Sequence, residues 1–278
     1  MAKTLEVSQR YRTIFLSDLH LGTKGCQAGL ILDFLRHNDA DTIFLVGDII
    51  DGWRMRASFY WPQLHNDVIQ KLLRKVRQGA RMIFVPGNHD EFARQFIGLT
   101  FGGIEIKRNT IHVAADGKRY LVMHGDEFDV VVRHSKWLAF LGDWAYDFAI
   151  FVNTHFNTVR RFFGFRYWSF SAWAKLKIKN AVNFIGSFEQ ELAAEAKRRG
   201  ADGVICGHIH HPTIHDIGGI TYVNTGDFVE SCSLVVEHQD GRLEVKYWSQ
   251  PFAEQPQLLP RPADALVELR AEAEVEAA

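Results

Sequence analysis

Short apolar runs alternate with amphipathic segments at the start of the chain, and this alternation constrains the fold more than any other feature. Thr13–Ser17, Thr42–Val46 and Arg81–Val85 have the length and composition of buried β-strands. Between them, Gly29–His37 and Asp67–Gln78 carry apolar residues at helical spacing. This order predicts a parallel sheet covered by helices. In such sheets, sites lie at the carboxyl ends of the strands.

The segment from Gly203 to Trp248 has a different pattern, with short β-type runs separated by tight turns. Gly218-Gly219 and Asp240-Gly241 favour hairpins between neighbouring runs. Both patterns fit one fold class, α/β with α+β character, in which a two-sheet β-sandwich core is flanked by helices.

Length and composition indicate one ordinary globular domain. The 278 residues suffice for a large core, and we expect a single domain over 1–250, an insertion at 129–187 and a C-terminal tail at 251–278. A net charge of −1 predicts no chain-wide affinity for polyanions, and no nucleic-acid partner is expected. The three cysteines have no pairing spacing and the polar start has no apolar signal segment, so a cytoplasmic location is expected.

Five short polar clusters follow, or nearly follow, β-type runs. They are Asp18-Leu19-His20, Gly47-Asp48, Gly87-Asn88-His89-Asp90, His124-Gly125-Asp126 and Gly207-His208-Ile209-His210. Any one of them has a structural explanation, such as a turn or a local hydrogen bond. Asp, His and Asn are also the ligand types that suit borderline divalent metals such as Mn, Fe and Zn. All five in this order predict a two-metal site.

The ordered clusters resemble the motifs of the calcineurin-like metallophosphoesterase family, and the resemblance covers roughly residues 11 to 250. It implies a hydrolase of phosphoester or pyrophosphate bonds that uses two divalent ions, with Mn²⁺ preferred and Fe or Zn as alternatives. The residues that it implies as ligands are Asp18, His20 and His210 for one ion, Asn88, His124 and His208 for the other, and Asp48 as a bridge.

The same resemblance implies catalytic roles for Asp48 and His89. His89 is expected to stabilise the transition state or to protonate the leaving group, since an imidazole can do either near neutral pH. Asp90 is expected either to orient His89 or to cap the helix that follows it.

Two further segments resemble the UDP-2,3-diacylglucosamine pyrophosphatase group of this family, in particular its divergent branch with Gly-Asn-His-Asp. One is Gly47–Trp53, and the other is the insertion, which resembles the helical lid of that group. The resemblance implies a UDP-linked acylated sugar as substrate. The residues expected to bind it are Asn88, His89, Trp53, Arg166, Lys177 and Lys179.

The insertion is crowded with aromatic residues and has no acidic residue between Asp147 and Glu189. Helices rich in Trp, Phe, Lys and Arg commonly lie in a membrane interface. The segment expected to contact an anionic membrane, at the cytoplasmic face of the inner membrane, is formed by Arg160, Arg161, Phe162 and Phe163. A helical subdomain packed by its own aromatics remains an alternative.

Three other functions remain open at this point. The first is a soluble phosphodiesterase or phosphatase that acts on nucleotides or other small phosphoesters. The second is a non-catalytic lipid-binding relative. A nuclease is the third, and it is disfavoured because the aromatics outnumber the charges and lie at helical spacing. Six of the histidines outside the clusters are expected to be surface, loop or packed residues, namely His65, His112, His155, His211, His215 and His238.

Overall fold

The computed structural model describes residues 9–131 and 185–250, with the backbone alone at 129–131. The strands of the first half are β1 (Gln9–Leu16), β2 (Asn38–Val46), β3 (Arg81–Val85), β4 (Thr100–Phe101), β5 (Ile104–Ile106), β6 (Thr110–Val113) and β7 (Arg119–Val122). Those of the second half are β8 (Gly203–Cys206), β9 (Thr213–Ile217), β10 (Ile220–Asn224), β11 (Ser233–Glu237) and β12 (Leu243–Tyr247).

The described strands form two sheets with parallel centres and antiparallel edges. The larger sheet has the order β12-β11-β1-β2-β3-β5-β4, in which β1, β2, β3 and β5 run parallel. The smaller has the order β6-β7-β8-β10-β9, in which β7, β8 and β10 run parallel. The prediction of a two-sheet core flanked by helices is confirmed, as are the hairpins β9–β10 and β11–β12.

Three of the four described helices pack on the outer faces of the two sheets, whereas the short second helix lines the metal-type cleft. The four helices are α1 (Ala28–His37), α2 (Gly52–Ala57), α3 (Gln63–Arg77) and α4, at residues 185–198. Two 3₁₀ helices, Glu91–Phe96 and Asp126–Val131, follow the third and fourth polar clusters. In the described ranges no helix has the length and apolar character needed to cross a bilayer.

Alternation along the strands builds three apolar layers. On β1, Ile14 and Leu16 pack towards α1 and α3, whereas Phe15 packs between the two sheets. On the outer face of the smaller sheet, Leu121 packs with Phe188 and other residues of α4. Side chains of a strand alternate between the two faces of its sheet. Because both faces of these strands are buried, the runs are apolar on both faces. The order of layers is therefore helix, sheet, sheet, helix.

Several elements differ from the sequence-based expectation. The predicted helix Asp67–Gln78 begins earlier, at Gln63, directly after Pro62, whose fixed φ suits a helix start. Two elements that the pattern did not indicate are α2 and the β4–β5 hairpin. Both are too short to show a period. The predicted tail and most of the predicted insertion lie outside the described residues.

Candidate metal centre

The strand ends that carry the polar clusters turn in an unusual backbone conformation. Among the described residues other than glycine, six have positive φ, and five of these belong to the clusters: Asp18 (51°), His20 (48°), Asp48 (53°), His208 (72°) and His210 (53°). This left-handed region is rarely adopted by side-chain-bearing residues, and strained positions of this kind cost about 1–3 kcal/mol each. Such strain concentrates at functional sites.

Backbone hydrogen bonds tie these turns to one another. The amide of Asp18 donates to the Gly47 carbonyl at 3.0 Å, and the amide of His20 donates to the Asp48 carbonyl at 2.9 Å. A side chain at Gly87 would clash with Asp48 and His124. The glycine therefore permits the close approach of three loops.

One group of side chains comprises Asp18, His20 and His210, the set expected to hold the first ion. One potential ligand atom from each lies within 4.8 Å of the others. His210 Nε2 is 3.1 Å from Asp18 Oδ1, and His20 Nε2 is 4.0 Å from the same oxygen. The structure thus brings together the ends of β1 and of β8, which are far apart in sequence.

A second group comprises Asp48, His124 and His208, again with ligand atoms within 4.8 Å of one another. His124 Nδ1 lies 2.8 Å from the Val46 carbonyl oxygen, which fixes a proton on that nitrogen. Its other nitrogen, Nε2, is then free to bind a cation and faces Asp48 Oδ2 at 3.3 Å. The two groups meet at the strand ends as the two-metal prediction requires.

Unpaired buried atoms indicate that the residues present fit metal ions. His20 Nε2, Asn88 Oδ1 and His124 Nε2 are buried and have no hydrogen-bond partner among the described residues. Buried polar atoms are almost always paired, because an unpaired one costs about 1–3 kcal/mol. These atoms are all nitrogen or oxygen donors of the kind that bind divalent ions.

The electrostatics of the centre favour positive charge. Burial alone would raise the pKa of Asp48, but the adjacent His124, His89 and His20 outweigh it and hold that pKa well below its usual range. Burial alone would lower the pKa of His124, but Asp48 and Asp18 hold it well above its usual range. Asp48 therefore stays ionised, and the shift of His124 shows that the adjacent carboxylates stabilise positive charge at this position.

Asp51 joins the site although no role was assigned to it from the sequence. Its buried Oδ2 lies 3.2 Å from His20 Nδ1 and 3.0 Å from His89 Nδ1, while its Oδ1 accepts the Arg54 amide at 2.8 Å and caps α2. Burial would raise its pKa, but the contacts with His20 and His89 hold it well below the usual range. The signal in the sequence was a second acid three residues after Asp48.

Both roles expected for Asp90 are wrong. Its side chain makes no cap of the 3₁₀ helix that follows it. Instead, Oδ1 accepts the Gly87 amide at 2.6 Å, and Oδ2 accepts the amide of Ile49 at 2.7 Å. Both oxygens of the Asp90 carboxylate therefore bind backbone amides, which joins the loop after β2 to the loop after β3. The carboxylate beside His89 belongs to Asp51.

The two groups lie at the floor of a cleft of about 970 Å³. Trp53 lines this cleft, and its ring is 4.4 Å from that of His89 and tilted by 35°. The remaining residues expected to bind substrate or membrane lie outside the described residues, namely Arg160, Arg161, Phe162, Phe163, Arg166, Lys177 and Lys179.

The described histidines outside the clusters do not line the cleft. His65 accepts the Gly22 amide at 3.0 Å, and His112 lies 2.7 Å from Glu237 Oε2. His215 and His238 contact Glu189 and Glu244. His211 is exposed, and His155 lies outside the described residues.

Comparison with known proteins identifies a family. The model of the calcineurin-like phosphoesterase family matches residues 11–212. UDP-2,3-diacylglucosamine hydrolases of Xanthomonas campestris pv. campestris and Vibrio cholerae serotype O1 are 28% and 24% identical over 244 and 243 residues. These alignments cover 82% and 81% of this chain and 96% and 93% of those proteins.

A solved structure with a similar arrangement is vacuolar protein sorting 29 of Cryptosporidium parvum. Its sequence identity is 12% and its TM-score 0.41, over 84% of this chain and 94% of that chain.

The family match covers most of the chain, and the two sheets place the matched side chains at one edge. Divalent-metal binding and phosphoester hydrolysis follow from this match and from the two ligand groups. The chain belongs to the calcineurin-like phosphoesterase family.

Proposed function

We propose that this protein hydrolyses the pyrophosphate bond of a UDP-linked acylated sugar at a membrane surface. The observation that carries the proposal is the size of the cleft above the two ligand groups, about 970 Å³. Ligand pockets range over about 300–1,000 Å³, and a simple phosphate ester would occupy a small part of this one. The Xanthomonas and Vibrio relatives are UDP-2,3-diacylglucosamine hydrolases, which supports the same substrate class.

We base the proposed ligand roles on the two groups and on the unpaired Asn88 Oδ1. We assign Asp18, His20 and His210 to one ion, Asn88, His124 and His208 to the other, and Asp48 to both. Mn²⁺ is preferred over Fe and Zn, because the donors are oxygen and nitrogen without thiolate. Two such ions, when bound, supply Lewis-acid stabilisation of phosphoryl oxygens and activation of water.

His89 is the proposed acid at the leaving group. Asp51 Oδ2 lies 3.0 Å from Nδ1 of His89, and Nε2 of His89 lies 4.0 Å from Asp48 Oδ2. The ring of Trp53 packs on His89 and restricts its rotation. His89 can thereby donate a proton, or a hydrogen bond, to the oxygen of the departing group.

An apolar space beside the cleft favours a substrate with hydrocarbon chains. A cavity of about 460 Å³ lies between α3, β3, β5 and the 3₁₀ helix Glu91–Phe96, and Ile49 and Ile50 form part of its wall. The neighbours of these residues on either side, Asp48 and Asp51, line the metal cleft. The segment from Asp48 to Asp51 therefore separates the polar floor of the metal cleft from an apolar cavity that suits acyl chains.

The test is a comparison of two substrates with protein loaded with Mn²⁺. We expect release of UMP from UDP-2,3-diacylglucosamine in mixed vesicles, and loss of at least about a thousandfold in turnover for Asp48→Asn. The matched control is His215→Asn, a histidine on β9 away from the cleft, which should retain full turnover. Hydrolysis of bis(p-nitrophenyl) phosphate without any release of UMP would instead support a phosphodiesterase of small, water-soluble substrates.

A further inference from the structure

Two cations stand at the lip of the metal cleft without an acidic partner. Lys24 and Arg54 both line the cleft and both are exposed. Within residues 9–128 and 185–250, neither side chain forms an ion pair with Asp or Glu. By contrast, Arg94, which lies near His124, is paired with Asp126 at 2.7 Å.

The backbone that carries these two cations is fixed to the metal centre. Leu21 donates its amide to the Ile49 carbonyl at 2.9 Å, and the Leu21 carbonyl accepts the Asp51 amide at 2.8 Å. The next residue, Gly22, donates to His65 Nδ1 at 3.0 Å. Arg54 lies in the first turn of α2, where its own amide is held by Asp51. Lys24 and Arg54 therefore both line the cleft from segments that are anchored to the loops of the ligand groups.

The charges of the cleft are separated by depth. The carboxylates Asp48 and Asp51 are buried at its floor, whereas the cations lie at its outer edge. If the attacked phosphate lies between the ligand groups at the floor, a second phosphate joined to it can extend towards Lys24 and Arg54 at the outer edge. Arg binds phosphate through paired N–H donors, and Lys binds it as a mobile point charge.

We propose that Lys24 and Arg54 form a second anion-binding position, which holds the phosphate next to the one that is hydrolysed. This deepens the proposed function, because a pyrophosphate substrate presents two adjacent phosphates, whereas a simple ester presents one. The pair thereby selects diphosphate-containing substrates over monophosphates. The preference is set by charge at an exposed edge, so it weakens as ionic strength rises.

Isothermal titration calorimetry tests the proposed anion-binding position, because it measures binding and does not depend on hydrolysis. Full-length protein loaded with Mn²⁺ is titrated with α,β-methylene-UDP, which resists hydrolysis, and with UMP. The two share the uridine, so the ratio of their Kd values isolates the second phosphate. We expect wild-type protein to bind the diphosphate analogue tighter by roughly tenfold to a hundredfold. In Lys24→Gln/Arg54→Gln this ratio should fall to within about threefold of unity.

The matched control is Arg56→Gln, since Arg56 is exposed on the same helix but does not line the cleft. It should keep the wild-type ratio, and its melting temperature and that of the double variant should match the wild type. A wild-type ratio near unity, or a double variant that retains the preference, would overturn the proposal. Lipid hydrolysis is measured separately, so a failure of the proposed lipid substrate remains distinguishable from a failure of this position.

Discussion

In three histidines of the site, one ring nitrogen contacts a neighbouring group that holds the ring, and the other faces the cleft. His124 uses Nδ1 to contact the Val46 carbonyl oxygen, while His20 and His89 direct Nδ1 to Asp51. Each Nε2 is thereby left for the cleft, because the partner of one ring nitrogen determines the role of the other. The sequence shows that histidines are present, but only the folded chain shows which nitrogen each one presents.

Replacement of Asp51 by Asn should lower kcat by about 10- to 100-fold, with little change in KM, because Asp51 acts by orienting His89 and His20 through their Nδ1 atoms. The measurement is steady-state hydrolysis of bis(p-nitrophenyl) phosphate at saturating Mn²⁺. Bound metal, measured by mass spectrometry, should also fall at limiting Mn²⁺, because His20 loses its support.

The control for that substitution is Glu91→Gln, which changes an acid that accepts the Trp53 indole N–H at 3.2 Å at the edge of the site. It should alter kcat by less than about threefold. An Asp51→Asn protein with wild-type kcat and metal content would contradict the assigned role.

The role of a residue could be predicted where it depends on residue type and order in the sequence, but not where it depends on contacts with another loop. Asp18, Asp48 and the paired histidines were recognisable because their types and order recur in one family. The roles of Asp51 and Asp90 were not, because they depend on the contact between the loops after β2 and β3. Sequence order does not specify which of two nearby acids faces His89.

At the scale of the elements, a polar cluster joins the two sheets at one end of their interface. Glu237 of β11 is fully buried and accepts hydrogen bonds from Thr13 Oγ1 at 2.7 Å and from the Ala115 amide at 2.8 Å. His112 of β6 contacts it at 2.7 Å, and Arg12 lies 3.0 Å from its other oxygen. One carboxylate thus links β1 and β11 of the larger sheet to β6 of the smaller.

Glu237→Gln should destabilise the protein at pH 7 by on the order of 3 kcal/mol, because it removes one partner from a buried charged cluster. Burial would raise the pKa of Glu237, but the hydrogen bonds from His112 and Thr13 outweigh it and lower that pKa. The ionised form therefore stabilises the fold above the ordinary glutamate pKa of about 4.3. That stability is lost as pH falls through the lowered value.

The measurement is urea unfolding from pH 7 down to pH 3.5, with EDTA present throughout so that metal loss does not contribute. The difference between wild type and Glu237→Gln should be constant above about pH 5 and shrink below the ordinary glutamate pKa of about 4.3. Glu191→Gln, on the exposed face of α4, should show no difference at either pH. If the difference in unfolding free energy between the two proteins increased at lower pH, the lowered pKa assigned to Glu237 would be wrong.

The strands were predictable wherever their apolar period was long enough. Arg81–Val85 has the predicted bounds, whereas β1 and β2 begin before the predicted Thr13 and Thr42. The conformations of the β4–β5 hairpin and of α2 depend on the loops that they adjoin. Their sequences hold too few residues for a period to arise.

For the whole molecule, the pairing of distant strands matters more than their order. The family match ends at residue 212, yet β11 lies beside β1 in the larger sheet and β10 beside β8 in the smaller. Apolar alternation predicts that strands exist, but the choice of partner is a property of the complete core. The assignment of each strand to one of the two sheets was therefore not predictable from the pattern.

Removal of metal should lower the melting temperature of the whole domain. An ion present at a hundred times its Kd stabilises the folded state by about 2.7 kcal/mol, which corresponds to roughly 5–10 °C for a protein of this size. Differential scanning calorimetry with and without EDTA measures the shift. Addition of Mn²⁺, Fe²⁺ or Zn²⁺ should restore it, with the largest recovery of activity for Mn²⁺.

Asp48→Asn is the control for metal removal, because loss of the carboxylate that we propose to bind both ions should abolish most of the EDTA-dependent shift. A wild-type melting temperature that EDTA leaves unchanged would contradict binding of metal to the folded state.

The left-handed turns at the cleft imply that activity and stability oppose each other in this molecule. A non-glycine residue in that conformation costs about 1–2 kcal/mol, which glycine does not incur. In metal-free protein, His208→Gly (φ 72°) should therefore unfold no more easily than wild type, although it is inactive. The same change at His215, which lacks positive φ, should destabilise β9. Selection for catalysis thus keeps this protein below the stability that its fold can reach.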